Sequence, residues 1–205
     1  MEKGFSQNFE QHYITQYFGD RIGKFIDIGA FHVTDKSNTR QLFLNGWEGV
    51  LVEPAPSNYK AIADHYKDEP RITTLNVAIG LSNEDLYPFY DCGGDAVSTS
   101  DEAHKDKWEQ GSNLKFTPIT VPQVHMSDFM DKYGKDVNFI SIDTEATNMA
   151  LFKAMPDWVW EQIDCLCIEH EQEVNPQNIF DIQIKLQDFG FKTLYINAEN
   201  IILGK

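Results

Sequence analysis

The stretch from Lys24 to Glu53, KFIDIGAFHVTDKSNTRQLFLNGWEGVLVE, decides the fold. It holds two short apolar runs, KFIDIGA and GVLVE, on either side of a polar stretch that ends at Gly46. Short runs rich in Ile, Val and Phe read as buried strands. A helix is expected between them, near Ser37–Asn45, with Gly46 as its stop. Strand, helix, strand is the βαβ unit of a parallel sheet.

The same alternation continues outward. A helix is expected over Ser57–Tyr66 with Ser57 as its N-cap, then a third strand, ITTLNVAIG, over Ile72–Gly80. The run VNFISID ends at Asp143 and precedes a helix over about Thr147–Met155. DCLCIEH ends at Glu169 and His170, and a helix from Pro176 to Asp188 stops at Gly190. FKTLYIN and IILGK close the chain, joined by AEN. That connection is too short for a crossover, so the last two strands must pair antiparallel. The middle of the chain is less regular. LYPFYDC reads as a strand, and FTPITVPQV reads as an edge strand because each proline lacks a ladder donor. Ser127 is expected to cap the short helix DFMDKYG. Residues 92–113 are polar and contain Gly93, Gly94 and Gly111, so they read as a mobile loop or lid. Residues 1–22 read as an N-terminal helical segment. The expectation is one α/β domain over residues 1–205, with a seven-stranded, mostly parallel sheet and a C-terminal antiparallel hairpin.

Composition bounds the partners. The 205 residues are 41% hydrophobic and 13% aromatic, enough for one sizeable core. The net charge of −15 and a pI near 4.6 repel phosphate backbones and anionic lipid. Neither nucleic acid nor a membrane is the expected partner; a small molecule or glycan is. Cys92, Cys165 and Cys167 make no disulfide framework, and the last two share one strand face as core thiols. No signal-peptide core and no membrane-length apolar run is present, so a cytoplasmic setting is expected. The Trp158-Val159-Trp160 stretch reads as core or contact packing.

In an open α/β sheet, ligands sit at the carboxyl ends of the strands. There Gly29 lets the backbone turn closely beside a ligand, and Asp27 can accept from an ammonium group. The loop lacks G-x-G-x-x-G, which counts against a pyrophosphate and so against an NAD-dependent oxidoreductase. Lys135 lacks the upstream glycines of a P-loop. Glu53 ends the second strand, 24 residues after Gly29, where a carboxylate can hold both hydroxyls of a ribose. Asp143 and the pair Glu169-His170, 26 residues later, end adjacent strands. Asp143, Glu169 and His170 are therefore candidate ligands of Mg²⁺ or Mn²⁺. Asp143 and His170 are also the candidate catalytic groups. His32 and His125 are alternative bases, whereas His65 and His104 fall on polar helical patterns and read as solvated.

These residues stand in an ordered series that resembles the FkbM-like methyltransferases nearly end to end. Ser6-Gln7 with Glu10 is similar to that family's SQ-x-x-E signature. FIDIGAFHVTDKSNT, GWEGVLVEPAPSNY, NVAIG, VSTSDE, VNFISIDTEATNMALFKAM, CIEHE and the closing FKTLYIN…NIILGK resemble its successive motifs. The resemblance implies a Rossmann-like class I methyltransferase. Its cofactor would be S-adenosylmethionine and its acceptor a hydroxyl of a sugar or small natural product. It carries over Asp27, Gly29 and Glu53 as donor-site residues and Asp143 as an acceptor-site residue. Gln7, Ala30, Ser37, Asn76 and Val77 join the expected donor site from the matching motifs. Ala146 and Asn148 depart from the family's Gly and second acidic residue, which leaves a catalytically silent S-adenosylmethionine-binding partner protein as the alternative.

Overall fold

The computed structural model describes residues 4–171 and 173–205; Met1–Lys3 of the expected N-terminal segment and Gln172 lie outside them. The first apolar run forms β1 (Lys24–Ile28) and the second forms β2 (Glu48–Val52), paired in parallel with Phe25 opposite Gly49 and Ile28 opposite Val52. Helix α1 (Glu10–Phe18) precedes them. Between them lies α2 (Arg40–Leu44), three residues later in its start than the pattern predicts. The reason is local: Ser37 Oγ accepts from the Arg40 amide, so Ser37 works ahead of the helix rather than in it. Helix α3 (Pro56–Tyr66) follows β2. Its cap residue is Ala55, and Ser57 lies inside the first turn, where Pro56 pre-sets the backbone.

The main sheet has seven strands in the order β3-β2-β1-β7-β8-β10-β9. Here β3 is Ile72–Leu75, β7 Phe139–Ile142, β8 Cys165–Glu169, β9 Lys192–Ile196 and β10 Asn200–Gly204. Pairs from β3 through β8 are parallel, and β10 is antiparallel to both neighbours; for β9 the short closing connection requires it. The strand order reverses at β1, between β2 and β7. That places a crevice outside the carboxyl ends of β1, β2, β7 and β8.

Side-chain alternation sorts the core into two layers. Ile26 and Ile28 of β1, Ile140 and Ile142 of β7, and Leu166 and Ile168 of β8 face one side. They meet α5 (Met126–Tyr133), α6 (Asn148–Ala154), α7 (Asp157–Gln162) and α8 (Asn178–Gln187) through Phe129, Phe152, Trp160 and Leu186. Phe25, Phe139, Cys165 and Cys167 face the other side, against Ile14 and Phe18 of α1, Leu42 of α2 and Ile62 of α3. The two thiols therefore share a buried face and are unpaired. The short α7 is absent from the sequence reading, but its Val159 and Trp160 pack in the core as expected.

The middle of the chain differs most. The expected third strand breaks at Asn76, whose Nδ2 donates to the carbonyls of Glu53 and Pro54. Beyond it, β4 (Ala78–Gly80) joins a separate three-stranded sheet with β5 (Leu86–Asp91) and β6 (Thr117–His125), in the order β4-β6-β5. FTPITVPQV is thus the central strand there and not an edge. The prolines are tolerated because of parity. Tyr90 exchanges both backbone hydrogen bonds with Thr99, so its pairing with Pro118 is a non-hydrogen-bonded one. Pro122, four residues on, falls in the same register, and β4 pairs only with Gln123–His125. The helix expected behind a Ser127 cap starts two residues earlier, at Met126; His125 caps it, its Nδ1 accepting from the Ser127 amide. Residues 92–113 carry a helix, α4 (Glu102–Gly111), capped by Asp101, whose side chain accepts from the His104 amide.

Candidate active site

The strand ends surround a cavity of about 580 Å³, within the size range of small-molecule sites. A smaller hollow of about 320 Å³ lies between α1 and α2, away from these strand ends. The larger one gathers the titratable groups and is the candidate site.

Its floor is the turn after β1. Gly29 has φ of 88°, and a Cβ placed there would sit 1.6 Å from the carbonyl oxygen of Asp143. Only glycine allows the β1 and β7 ends to come this close. The amides of Gly29 and Ala30 both donate to the Val52 carbonyl at 3.0 Å, locking the turn to the end of β2. Among the described residues, five of the seven non-glycine residues with positive φ line this cavity: Phe31, Lys36, Glu145, Ala146 and Glu171. Backbone strain of this kind concentrates where surrounding structure enforces a functional geometry.

Glu53 stands at the end of β2, 5% exposed. Its Oε1 accepts from the Ala55 amide and its Oε2 from the Phe31 amide, each at 2.8 Å. Burial nevertheless pushes its carboxyl up to about 7. Two amides fix the carboxylate's plane and leave lone pairs on both oxygens for a ligand. Asp143, just past β7, is half-buried, and no hydrogen bond reaches its carboxylate among the described residues. Burial, then the charges of Glu169 and Glu145, raise it well above the usual carboxylate range. Glu169 is raised to about 8, by burial first and then by Glu145 and Glu171.

Asn148 ties this wall together. Its Nδ2 donates to Glu169 Oε2 at 2.5 Å and to Glu171 Oε1 at 3.0 Å. Its Oδ1 accepts from the amide and hydroxyl of Thr144, at 2.6 and 2.9 Å. Fully buried, it joins the strained loops after β7 and β8. Sequence reasoning marked Asn148 only as a departure. An amide side chain shortly after the acidic loop Asp143–Glu145 was the available signal.

Of the expected site residues, Gln7, Gly29, Glu53, Asp143, Glu169 and His170 line the cavity. Asp27, Ala30, Ser37, Asn76 and Val77 are not among its lining residues. Asp27 is buried, accepts from Thr39 Oγ1 at 2.7 Å and is pushed up to about 6 by burial. Gln7 Nε2 donates to both oxygens of Glu199 at 2.7 Å, closing one wall.

The expected metal trio is not assembled. Among the described residues no three His, Cys, Asp or Glu side chains converge as a metal site. Glu169 is turned to Asn148, and His170 Nε2 lies 3.1 Å from the Asn197 carbonyl, which makes that nitrogen a donor. His32 Nδ1 instead accepts from the Asp35 amide at 3.0 Å, a turn role. His104, read as solvated, lines the cavity from α4: its Nε2 is 2.9 Å from Trp108 Nε1 and 3.2 Å from Glu145 Oε2. The Thr99 hydroxyl also donates to the Glu145 carbonyl at 2.6 Å.

This sheet order, with a strand-end cavity at the reversal and an antiparallel final strand, defines a Rossmann-like methyltransferase fold. The model of the methyltransferase FkbM domain matches residues 27–193, and the chain belongs to that family. The methyltransferase FkbM from Methylobacillus flagellatus KT superposes with a TM-score of 0.60 at 12% identity, over 98% of this chain and 48% of that one. The METTL16 methyltransferase domain superposes with a TM-score of 0.50 at 9% identity, over 94% of this chain and 64% of that one. The chain thus spans about half of the first and under two thirds of the second, and at these identities the likeness shows the fold. No curated protein matches in sequence. No helix among the described residues is long and apolar enough to cross a membrane.

Proposed function

We propose that the strand-end cavity binds S-adenosylmethionine and that the protein methylates a hydroxyl of a sugar-like or small natural-product acceptor. The observation that carries this reading is the placement of Glu53, Gly29 and Asp143 on one cavity at the sheet's reversal point. The residues present fit the cofactor. Its ribose suits the two-amide-fixed carboxylate of Glu53, and its net positive charge suits a cavity with eight carboxylates among the described lining residues. Phe31, Pro54 and Phe89 offer apolar surface for a base. When bound, S-adenosylmethionine supplies a methyl group activated by a sulfonium.

The chain's own residues have two tasks: to align the acceptor oxygen and to take its proton. Asp143 suits the second task. Its carboxylate faces the cavity, and its raised affinity for a proton makes it a stronger base near neutral pH than an ordinary aspartate. As the acceptor oxygen gains positive character, the Asp143 and Glu169 carboxylates stabilise it. Residues 92–113 complete the cavity as a lid, with α4 supplying His104 and Trp108 to its wall. With labelled S-adenosylmethionine and a panel of hydroxyl acceptors, Asp143→Asn should lower turnover by about 100-fold or more while S-adenosylhomocysteine affinity stays within about twofold. Full activity of that variant would move the chemistry elsewhere. Binding of the cofactor without transfer to any acceptor would favour the catalytically silent reading.

A further inference from the structure

The acceptor side of the cavity holds more acidic side chains than a proton acceptor needs. The loops after β7 and β8 bring Asp143, Glu145, Glu169, Glu171 and Glu173 to it. A lysine and a histidine face them from α4, and both are already placed. Lys107 Nζ lies 3.2 Å from Glu173 Oε2, and His104 Nε2 lies 3.2 Å from Glu145 Oε2. Among the described residues, no ion pair reaches Asp143, Glu169 or Glu171. Asn148, a neutral amide, orients Glu169 and Glu171 without compensating their charge. Its amide leaves Oε1 of Glu169 and both oxygens of Asp143 without a hydrogen-bond donor among the described residues. Half-buried carboxyls crowded together keep their protons to higher pH than usual, and a bound cation favours their ionised forms. A single-charged methyl donor balances one of the three.

We infer that the acceptor carries a protonated amine near the reacting hydroxyl, bound between Asp143, Glu169 and Glu171, so that amino sugars and amino alcohols are its chemical class. This rests on the methyltransferase reading of the same cavity. The amine supplies three donors to oxygens that lack them, and places positive charge where the wall is negative. Anionic acceptors meet the same carboxylates as repulsion.

Matched probes test this by calorimetry on the full chain saturated with S-adenosylhomocysteine. Glucosamine, glucose and glucuronate form one series; ethanolamine, ethylene glycol and glycolate form another. The amine of at least one series should bind about tenfold or more tighter than its neutral partner, the size of one charge-assisted hydrogen bond. The acid should not bind, and added salt should weaken the amine alone. Glu169→Gln and Glu171→Gln should each reduce the amine preference by about tenfold, measured with each variant saturated with S-adenosylhomocysteine. Equal binding of amine and neutral probe, tighter binding of the acid, or no amine binding by a protein that binds S-adenosylhomocysteine overturns the inference. No binding of S-adenosylhomocysteine at all overturns the methyltransferase reading instead.

Discussion

Replacing Glu53 by glutamine should change the shape of the stability–pH curve and not just its height. Glu53 is 5% exposed, and burial lifts its carboxyl from the ordinary 4.5 to about 7 against the lowering effect of the Ala55 and Phe31 amides. The unfolded chain keeps the ordinary value, so between these two pH values the folded state binds the proton more tightly. Stability therefore falls as pH rises through that window and levels off above it. At about 1.4 kcal/mol per pH unit, the fall due to Glu53 is about 3 kcal/mol, of which about 2 to 3 lies between pH 5 and pH 8. Glutamine does not titrate and escapes this fall. It keeps one acceptor oxygen for two backbone donors, which costs about 1 to 2 kcal/mol at every pH. Glu53→Gln should thus melt below the wild type at pH 5 and above it at pH 8. The difference between the two should move by about 5 to 10 °C for a domain of this size. Asp27 and Glu169 titrate in both proteins and cancel in that difference. Thermal melts of the apo proteins at pH 5, 6, 7 and 8 measure it. Parallel curves would refute the claim that Glu53 is a destabilised buried carboxylate held for a ligand.

Two further outcomes follow from the same geometry. Gly29→Ala should destabilise by more than about 3 kcal/mol, because its φ of 88° and the 1.6 Å approach of the Asp143 carbonyl leave no room for a methyl group; a variant with a wild-type melting temperature would contradict the described turn. If residues 92–113 form a lid, S-adenosylhomocysteine should slow hydrogen exchange there, most of all around His104 and Trp108; unchanged exchange would argue for a fixed wall.

The parallel sheet was legible because its strands are continuous apolar runs bounded by glycine and polar turns, as in KFIDIGA and VNFISID. The hairpin was legible because AEN is too short to cross over. The break at Asn76 was not, because NVAIG continues the apolar pattern. Only the side-chain bonds to the Glu53 and Pro54 carbonyls turn the chain away. The prolines of β6 misled for a related reason: their cost depends on which residues they pair with, and pairing is not local. Strand-end position put Gly29, Glu53, Asp143, Glu169 and His170 on the lining of one cavity. It could not show that the His170 Nε2 lies against the Asn197 carbonyl. It missed His104 and Asn148, because one comes from a polar helix folded back over the strand ends and the other works through carboxylates far away in sequence.

Calorimetric titration of the full chain with S-adenosylhomocysteine tests the assignment of the strand-end cavity most directly. One molecule should bind per chain, Glu53→Gln should weaken it by roughly 1–3 kcal/mol through the lost charged hydrogen bond, and NAD⁺ should give no heat. Absence of S-adenosylhomocysteine binding, or tight NAD⁺ binding in its place, would contradict the account.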